Sequence, residues 1–293
     1  MNKPTQKSSQ PSSGELREPL LGCAIGKKGI GKTFTTLKTI YKYVQGNPTY
    51  GIQGRKFLIF DVNDEFTNVK AIALKDIPLF ASQKTPEIRR VRIWKENGKG
   101  KMTLDEMADA LYLILENYRG GGMLIEDISK YIGDSYSRDI IGAICTQRHM
   151  DCDLLLHFQT IGKLSHPKIF GNMNYVRMHK TTDTVKRHES KFGGDVEHLK
   201  ITEMLVDRQY RKGDIRFCAY LNLDNNKIKG IFTQEDFYGA IDEFVQIEYS
   251  RLVKPMMERR DGEGNKLYTH ATAVRAIRQR LYDDYYGNYN SIL

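Results

Sequence analysis

The stretch Gly26-Lys27-Lys28-Gly29-Ile30-Gly31-Lys32-Thr33 decides the fold of this 293-residue chain. It matches the pattern G-x-x-x-x-G-K-[ST], follows an apolar run over residues 20–25, and precedes a helix predicted over residues 32–44. Its glycines allow backbone N–H groups to turn around a phosphate, and the helix N-terminus adds partial positive charge. The stretch therefore predicts a loop that binds nucleotide phosphates.

Two side chains of this loop have expected chemical roles. Lys32 is placed to reach the β- and γ-phosphates, and the Thr33 hydroxyl is placed to bind Mg²⁺. We therefore predict ATP and Mg²⁺ as cofactors. The predicted cofactor-binding residues are Gly26, Lys27, Lys28, Gly29, Ile30, Gly31, Lys32, Thr33 and Phe34.

Outward from the loop, strands alternate with helices. Strands are predicted over residues 20–25, 56–60, 88–94, 123–125, 153–158 and 174–179, and the intervening helices over 32–44, 103–119 and 137–149. This alternation predicts an α/β fold, a mostly parallel sheet with helices on both faces. A hairpin of residues 214–221 and 227–232 follows, and then helices over 235–259 and 270–286.

The helix over residues 103–119 carries the clearest local signals. Thr103 and Glu106 form a capping box, and Gly120–Gly122 are expected to end the helix. One helical face collects the apolar side chains, namely Leu104, Met107, Leu111, Ile114 and Leu115.

Composition divides the chain into three parts. Residues 1–19 are polar and are expected to form a disordered tail. Residues 20–232 are expected to form a P-loop ATPase core, and residues 233–293 a basic helical C-terminal extension. No apolar run approaches the roughly 20 residues of a membrane helix. The four cysteines form no close pair and are typical of reduced cytosolic thiols, so we expect a cytoplasmic protein.

Acidic residues follow two of the predicted strands. Glu126 and Asp127 come directly after residues 123–125, where a nucleotide hydrolase places carboxylates for Mg²⁺ and for the attacking water. By position Glu126 faces the metal and Asp127 the water, although the two roles are also open to exchange. Asp61, with Asn63, Asp64 and Glu65, follows residues 56–60 and is interpreted as an auxiliary acidic site.

Two further side chains are candidates for catalysis. Gln159 ends the strand over residues 153–158, where it is placed to orient water beside the γ-phosphate. Arg148 ends the preceding helix, from which an arginine can project toward the nucleotide of a neighbouring subunit. A plain helix C-terminal arginine, complementing the helix dipole, is the alternative for Arg148.

The formal net charge is +9, and two segments, residues 84–101 and 251–280, each carry a net +5. Such clusters suit contacts to the phosphate backbone of DNA without reading of bases. A solvated basic face is the alternative for each segment. Four tyrosines near the C-terminus, Tyr282, Tyr285, Tyr286 and Tyr289, are interpreted as part of a loosely ordered tail.

Taken in order, these motifs resemble the HerA/FtsK superfamily, including the packaging ATPases of tailless phages. The resemblance spans about residues 20–232 and rests on GKKGIGKT, FDVNDEF (Phe60–Phe66), LIED, and the order Arg148, apolar strand, Gln159, then Leu164-Ser-His-Pro167. It implies a RecA-like ASCE core, a ring-shaped homo-oligomer that is commonly a hexamer, and ATP-driven translocation of DNA. A viral member would work in the host cytoplasm or virion, beside a capsid or a membrane-bound vertex or portal protein.

Two other functions stay open. Lys27 resembles the signature lysine of the ParA/MinD family, which reaches across a dimer, although a surface lysine near phosphate is the preferred interpretation. The ParA/MinD resemblance implies a dimeric ATPase switch. A nucleotide-binding assembly or secretion protein with little turnover, similar to the zonula occludens toxin proteins of filamentous phages, is the third candidate.

Overall fold

The computed structural model describes residues 18–95, 100–130, 138–164, 167–192 and 196–287, without the side chain of Arg148. Most of the predicted N-terminal tail, Ser165, His166, Lys99 and Tyr289 thus lie outside the described residues. The strands are β1 (Leu21–Ile25), β2 (Gly46–Asn47), β3 (Ile52–Gln53), β4 (Phe57–Asp61), β5 (Ile88–Arg92), β6 (Gly121–Ile125), β7 (Cys152–Phe158), β8 (Tyr175–Met178), β9 (Ala219–Asn222) and β10 (Ile228–Gly230).

Eight strands form one sheet in the order β10-β9-β8-β1-β7-β6-β4-β5, and β2 and β3 form a separate small ribbon. The six strands from β8 to β5 are parallel, whereas β9 and β10 are antiparallel additions at one edge. The predicted hairpin thus extends the main sheet, with shorter strands than predicted. Strand β7 lies between the phosphate-loop strand β1 and the acidic strand β6. A core of the ASCE type is expected to have an additional strand at this position.

The α-helices flank this sheet, and several agree closely with the sequence patterns. They are α1 (Lys32–Gln45), α2 (Ile77–Ser82), α3 (Leu104–Asn117), α4 (Arg138–Thr146), α5 (Ile161–Leu164), α6 (Pro167–Phe170), α7 (Val185–His188), α8 (Glu197–Arg211), α9 (Gln234–Ile247), α10 (Tyr249–Met257) and α11 (His270–Tyr285). Helix α8 has no predicted counterpart. The single helix predicted over residues 235–259 is wrong, because Glu248 ends α9 and precedes α10.

Apolar side chains of the central strands alternate between two cores. In β4, for example, Leu58 and Phe60 belong to the larger cluster, whereas Phe57 and Ile59 belong to a smaller cluster that includes Ile40 of α1. The larger cluster includes buried residues of α3, α4, α8 and α9. Because both faces of the sheet are covered, β1, β4 and β6 are buried along their whole length.

Helix α3 shows how local signals and packing combine. The Thr103–Glu106 capping box is present, and the predicted apolar face is buried except for Leu104, which is 51% exposed in the first turn. Gly121 and Gly122 do not belong to the helix stop, because they begin β6. A side chain at Gly122 would overlap the Phe57 ring, with a Cβ–carbon separation of 2.4 Å.

The C-terminal helices pack into the larger core of the sheet. Phe237, Ile241 and Phe244 of α9 are fully buried, as is Leu281 of α11. The C-terminal tyrosines were expected in a loosely ordered tail, and that prediction is wrong for the three described ones. Tyr282 stacks on Tyr238 and on Tyr286, with ring centroids 4.5 and 4.7 Å apart, and Tyr285 is buried.

Among the described residues, no helix combines the length and the apolar composition that crossing a bilayer requires.

Candidate active site

The phosphate loop lies at the carboxyl edge of the parallel strands, where it joins β1 to α1. Gly29 and Gly31 have φ of 77° and 92°, a region that favours glycine, and Gly31 is the N-cap of α1. The loop is attached to both neighbouring strands, since Gly26 N donates to Phe158 O at 3.2 Å and Lys27 N donates to Lys180 O at 2.9 Å. The predicted loop therefore has a fixed position at the C-terminal ends of β7 and β8.

The Lys32 side chain lies across its own loop. Its Nζ donates to the backbone carbonyls of Gly26 and of Lys27, the latter at 2.9 Å. Burial lowers the pKa of Lys32, and the nearby carboxylates of Asp127, Glu126 and Glu65 oppose that shift. The ammonium group is thus placed between the phosphate loop and a group of acids.

The remaining loop side chains differ in their surroundings. Ile30 is buried, so only its backbone is available to a ligand, whereas Lys28 is exposed. Phe34 is 53% exposed, and the Lys38 ammonium lies 4.4 Å from its ring centroid. Lys27 donates to the Tyr210 hydroxyl at 2.9 Å, so in this conformation its partner is within the same chain.

Glu126 is the most perturbed carboxyl group at this edge. It is 3% exposed, and among the described residues its Oε2 has no hydrogen-bond partner. Burial first, and then the charges of Glu65, Asp61 and Asp127, raise the pKa of Glu126 to about 8. Glu126 is thus a buried carboxyl group that faces other acids and has a strongly raised pKa, as groups at functional sites often do.

Asp127 and Gln159 are brought together from neighbouring parallel strands. Asp127 follows β6 with a left-handed φ of 48°, and its Oδ2 accepts a hydrogen bond of 2.6 Å from Gln159 Nε2 at the end of β7. The two residues are 32 positions apart in sequence. Both lie on the phosphate-loop side of the sheet, as their positions at strand ends predict.

Two of the acidic residues after β4, Asp61 and Asp64, form ion pairs within the chain. Asp61 is fully buried, accepts from Glu65 N at 2.9 Å and Phe66 N at 3.1 Å, and pairs with Arg90 at 2.7 Å. Asp64 pairs with Arg90 and Arg92, and these hydrogen bonds hold its pKa well below the ordinary range. These contacts fix the turn that follows β4.

This turn presents Glu65 to the phosphate loop, a placement that the sequence patterns did not assign. Glu65 Oε2 accepts a hydrogen bond of 3.2 Å from Thr33 Oγ1. The only signal in the sequence is the run of acids after an apolar strand. Glu65 thereby joins Glu126 and Asp127 as a third carboxylate around Lys32 and Thr33.

The chemistry of these donors fits a magnesium ion. Mg²⁺ in phosphate-binding sites typically takes one or two protein oxygens, together with phosphate oxygens and water. Thr33 Oγ1, Glu65 and the unpartnered Glu126 Oε2 are suitable oxygens. Within the described ranges, no group of three or more His, Cys, Asp and Glu forms a metal site by itself. The phosphates of a bound nucleotide would supply further oxygens to such an ion.

Arg148 lies far from the loop of its own chain. Its backbone belongs to the 3₁₀ turn Gln147–Met150, just before β7 begins. The loop lies at the opposite end of that seven-residue strand, a separation of about 20 Å at the rise of a β-strand. The structure thus does not bring Arg148 together with Lys32 in one chain.

The two basic segments behave differently. In residues 84–101, Arg89, Arg90, Arg92 and Lys95 each form an ion pair with a carboxylate of the same chain. In residues 251–280, Arg251, Arg278 and Arg280 are paired. Among described residues, the exposed cations without a carboxylate within 4 Å in the latter segment are Lys254, Arg259, Arg260, Lys266 and Arg275.

The loop, the intervening strand β7 and the acidic strand end define the class of fold, an α/β P-loop NTPase fold of the RecA-like ASCE type. No protein-family model and no curated protein matches the sequence.

Among solved structures, the chain is similar to the genome-packaging NTPase B204 of Sulfolobus turreted icosahedral virus 2 bound to ATP-γS. That similarity has 15% identity, a TM-score of 0.46, and coverage of 72% of this chain and 96% of the viral one. It is also similar to B204, the DNA-packaging ATPase of Sulfolobus turreted icosahedral virus, with 15% identity, a TM-score of 0.47 and coverage of 73% and 97%.

A third similarity is to the N-terminal domain of zonular occludens toxin from Neisseria meningitidis, with 12% identity, a TM-score of 0.34 and coverage of 59% and 91%. The fold assignment itself rests on the strand order and the loop.

Proposed function

We propose that this protein is a Mg²⁺-dependent ATPase that assembles into a ring and moves DNA. The observation that supports hydrolysis most directly is the convergence of Lys32, Thr33, Glu65, Glu126 and the Asp127–Gln159 pair on one edge of the sheet. Cations, carboxylates and a water-orienting amide in one place are the parts that phosphoryl transfer needs.

The roles of the individual side chains follow from their positions. Lys32 exchanges the Gly26 and Lys27 carbonyls for phosphate oxygens, and the loop N–H groups bind the β-phosphate. Thr33 and Glu126 would hold the metal, which would supply charge neutralisation, and Glu65 lies next to the Thr33 hydroxyl. Asp127 accepts a proton from the attacking water. Gln159 orients both the Asp127 carboxylate and this water. The short Asp127–Gln159 hydrogen bond favours this division over the exchanged one.

Arg148 is proposed to act on the nucleotide of a neighbouring subunit. Its place at the opposite edge of the sheet removes it from the nucleotide of its own chain. In a ring, however, the loop face of one subunit can meet the opposite face of the next. An arginine that completes a site in this way is worth about 10³ to 10⁵ in rate.

The exposed cations of residues 251–280 are the proposed DNA-contacting surface. Arg259, Arg260 and Lys266 lie on a tight turn closed by the Arg260–Lys266 bridge. Reversing these three charges is expected to weaken binding of a duplex oligonucleotide and to flatten its salt dependence, while ATP affinity stays unchanged. Reversal of Lys84 and Lys101 in the other basic segment is the matched control. Equal effects of both variants would contradict this assignment.

The central test is ATP hydrolysis by wild type and Lys32→Ala, with and without DNA. We expect DNA-stimulated hydrolysis by the wild type and a loss of about 10²-fold or more in the variant. If the wild type hydrolyses no ATP under either condition, the motor proposal fails. Nucleotide binding without turnover would instead favour an assembly or secretion protein of the zonula occludens toxin kind.

Solution mass with ATP distinguishes the motor from the dimeric switch. A ring supports the motor, and a dimer supports a ParA/MinD-like protein. The contact of Lys27 with Tyr210 in the same chain favours the motor, because this lysine would have to leave Tyr210 to reach a partner. Capsid, vertex or portal partners and a cytoplasmic or virion location belong to the same proposal.

A further inference from the structure

Arg177 is a buried arginine of β8, and it lies directly under the start of α1. Its side chain is 2% exposed. One guanidinium nitrogen donates to Thr36 Oγ1 and, at 3.3 Å, to the Lys32 carbonyl, and the group also contacts the Tyr220 hydroxyl. All of these partners are neutral. Among the described residues, Nε has no hydrogen-bond partner and no carboxylate lies within 4 Å of the guanidinium.

The surroundings add positive charge to this position instead of balancing it. Arg177 lies at the N-terminal end of α1, where the helix dipole is positive, and beside Lys32. The nearby histidines His157 and His179 are buried, and burial together with Arg177 lowers the pKa of both, that of His179 to about 3. They therefore stay neutral, and they neither add to nor balance the charge of Arg177.

An uncompensated buried cation is unfavourable, because the protein interior does not replace the solvation that the charge has lost. Arg90 is the contrasting case in the same sheet. It is 7% exposed, and it pairs with both Asp61 and Asp64. The fold thus neutralises one buried arginine with its own carboxylates and does not neutralise the other, which lies next to the phosphate loop.

We propose that Arg177 is a positioning residue whose charge is balanced by the polyphosphate of the bound nucleotide, at the expense of the stability of the nucleotide-free protein. The inference rests on the proposed nucleotide site and deepens it, because it names a polyphosphate as the anion required. Arg177 acts through the start of α1, which it contacts at Lys32 O and Thr36, and it does not touch the phosphates itself.

The neutral groups around Arg177 allow a clean substitution. Thr36 Oγ1 keeps a hydrogen bond of 2.8 Å with His157 Nε2, and Tyr220 keeps a contact with Thr39. Arg177→Met therefore removes the charge and keeps most of the side-chain volume. Thr36 and Tyr220 each keep another polar partner in this variant. Arg177→Lys keeps the charge, and Arg90→Met is the matched control that leaves Asp61 unpaired.

The experiment measures tripolyphosphate affinity by calorimetry, and the thermal midpoint without ligand, for wild type and the three variants. We expect Arg177→Met to raise the ligand-free midpoint by roughly 3–8 °C and to weaken tripolyphosphate binding about 10- to 100-fold. Arg177→Lys should stay within about threefold of the wild-type affinity, because the charge remains. Arg90→Met should lower the midpoint, because Asp61 loses its cation.

Affinity of Arg177→Met within about threefold of wild type overturns the inference, whatever its midpoint. Equal weakening by Arg177→Lys also overturns it, because the guanidinium shape and not the charge would then matter. If Arg177→Met does not fold, Arg177→Gln takes its place with the same expected affinities. When wild type binds and Arg177→Met binds equally well, the proposed function stands and only this inference fails. When wild type binds neither tripolyphosphate nor ATP, both fail.

Discussion

Glu203 of α8 offers a quantitative test, because its carboxyl group is partly buried among other acids. Both carboxyl oxygens accept from the Val185 backbone N–H at 3.2 Å. Burial first, and then the charges of Asp207 and Asp183, raise its pKa from the ordinary value of 4.5 to about 7, although Lys180 opposes the shift. Replacement of Glu203 by Gln keeps an oxygen for Val185 and removes the charge.

The sign of the pH dependence follows from the raised pKa. Between pH 4.5 and about 7 the folded protein holds a proton on Glu203 that the unfolded chain has lost, so stability falls as the pH rises through this range. A shift of this size corresponds to about 3 kcal/mol at most, and to about 2 kcal/mol after a discount for partial exposure. The cost is fully present at pH 8, and only about a quarter of it remains at pH 5.

Thermal unfolding at pH 5 and pH 8 measures this difference. We expect Glu203→Gln to exceed the wild-type midpoint by about 3 °C at pH 8 and by less than about 1 °C at pH 5. The control is Glu243→Gln, since Glu243 pairs with Arg208 and Arg211 and the substitution should lower the midpoint at pH 8. A Glu203→Gln midpoint that equals wild type at pH 8, or differs equally at both pH values, refutes the reasoning.

Three further predictions concern single side chains. Asp61→Ala should lower the free energy of unfolding by about 3–5 kcal/mol, because buried Arg90 loses one of its two carboxylates and the N–H groups of Glu65 and Phe66 lose their acceptor; a loss below about 1 kcal/mol in urea titration would contradict this. Gln159→Ala should lower kcat about 10²-fold with the thermal midpoint unchanged, and steady-state kinetics with kcat near wild type would exclude the proposed role. Thr103→Ala should cost about 1 kcal/mol through loss of the capping box with Glu106, measured by the same titration, and an effect on ATP hydrolysis is not expected.

Local patterns predicted the parts of the molecule that local interactions determine. The phosphate loop depends on closely spaced glycines and the start of α1, and the capping box of α3 depends on residues three positions apart. The acidic strand ends also agree, because parallel strands align their carboxyl ends at one edge. For this reason the amino-acid sequence alone was sufficient to place Glu126, Asp127 and Gln159 at one edge.

Helix α8 was not predicted, and its buried face combines apolar side chains with two charged ones. Lys200 is 6% exposed and pairs with Glu189 and Glu248, and Glu197 is 4% exposed and pairs with Arg251. Glu248 lies 48 residues beyond Lys200 in sequence. Apolar periodicity does not show which distant side chains neutralise these two buried charges.

Charge counting over residues 84–101 did not show which of these cations are paired within the chain. Arg90 and Arg92 contribute to the net +5 of that segment, yet they lie against Asp61 and Asp64 and hold the turn that presents Glu65. Arg177 is the opposite case, since nothing in its sequence context distinguishes a buried arginine from an exposed one. A count of basic residues therefore says little about a surface until the partners of each charge are known.

The ion pairs of α8 have a consequence for any attempt to divide this protein. Glu197 and Lys200 depend on Arg251 and Glu248, and Phe237 and Phe244 fill the core beside them. A chain ended after residue 232 would keep the whole nucleotide site in its sequence, but it would leave these two charges without their C-terminal counter-ions and lose the cover of an apolar surface. Such a fragment is expected to precipitate, so the contribution of the last three helices to DNA binding has to be measured by substitution in the intact chain.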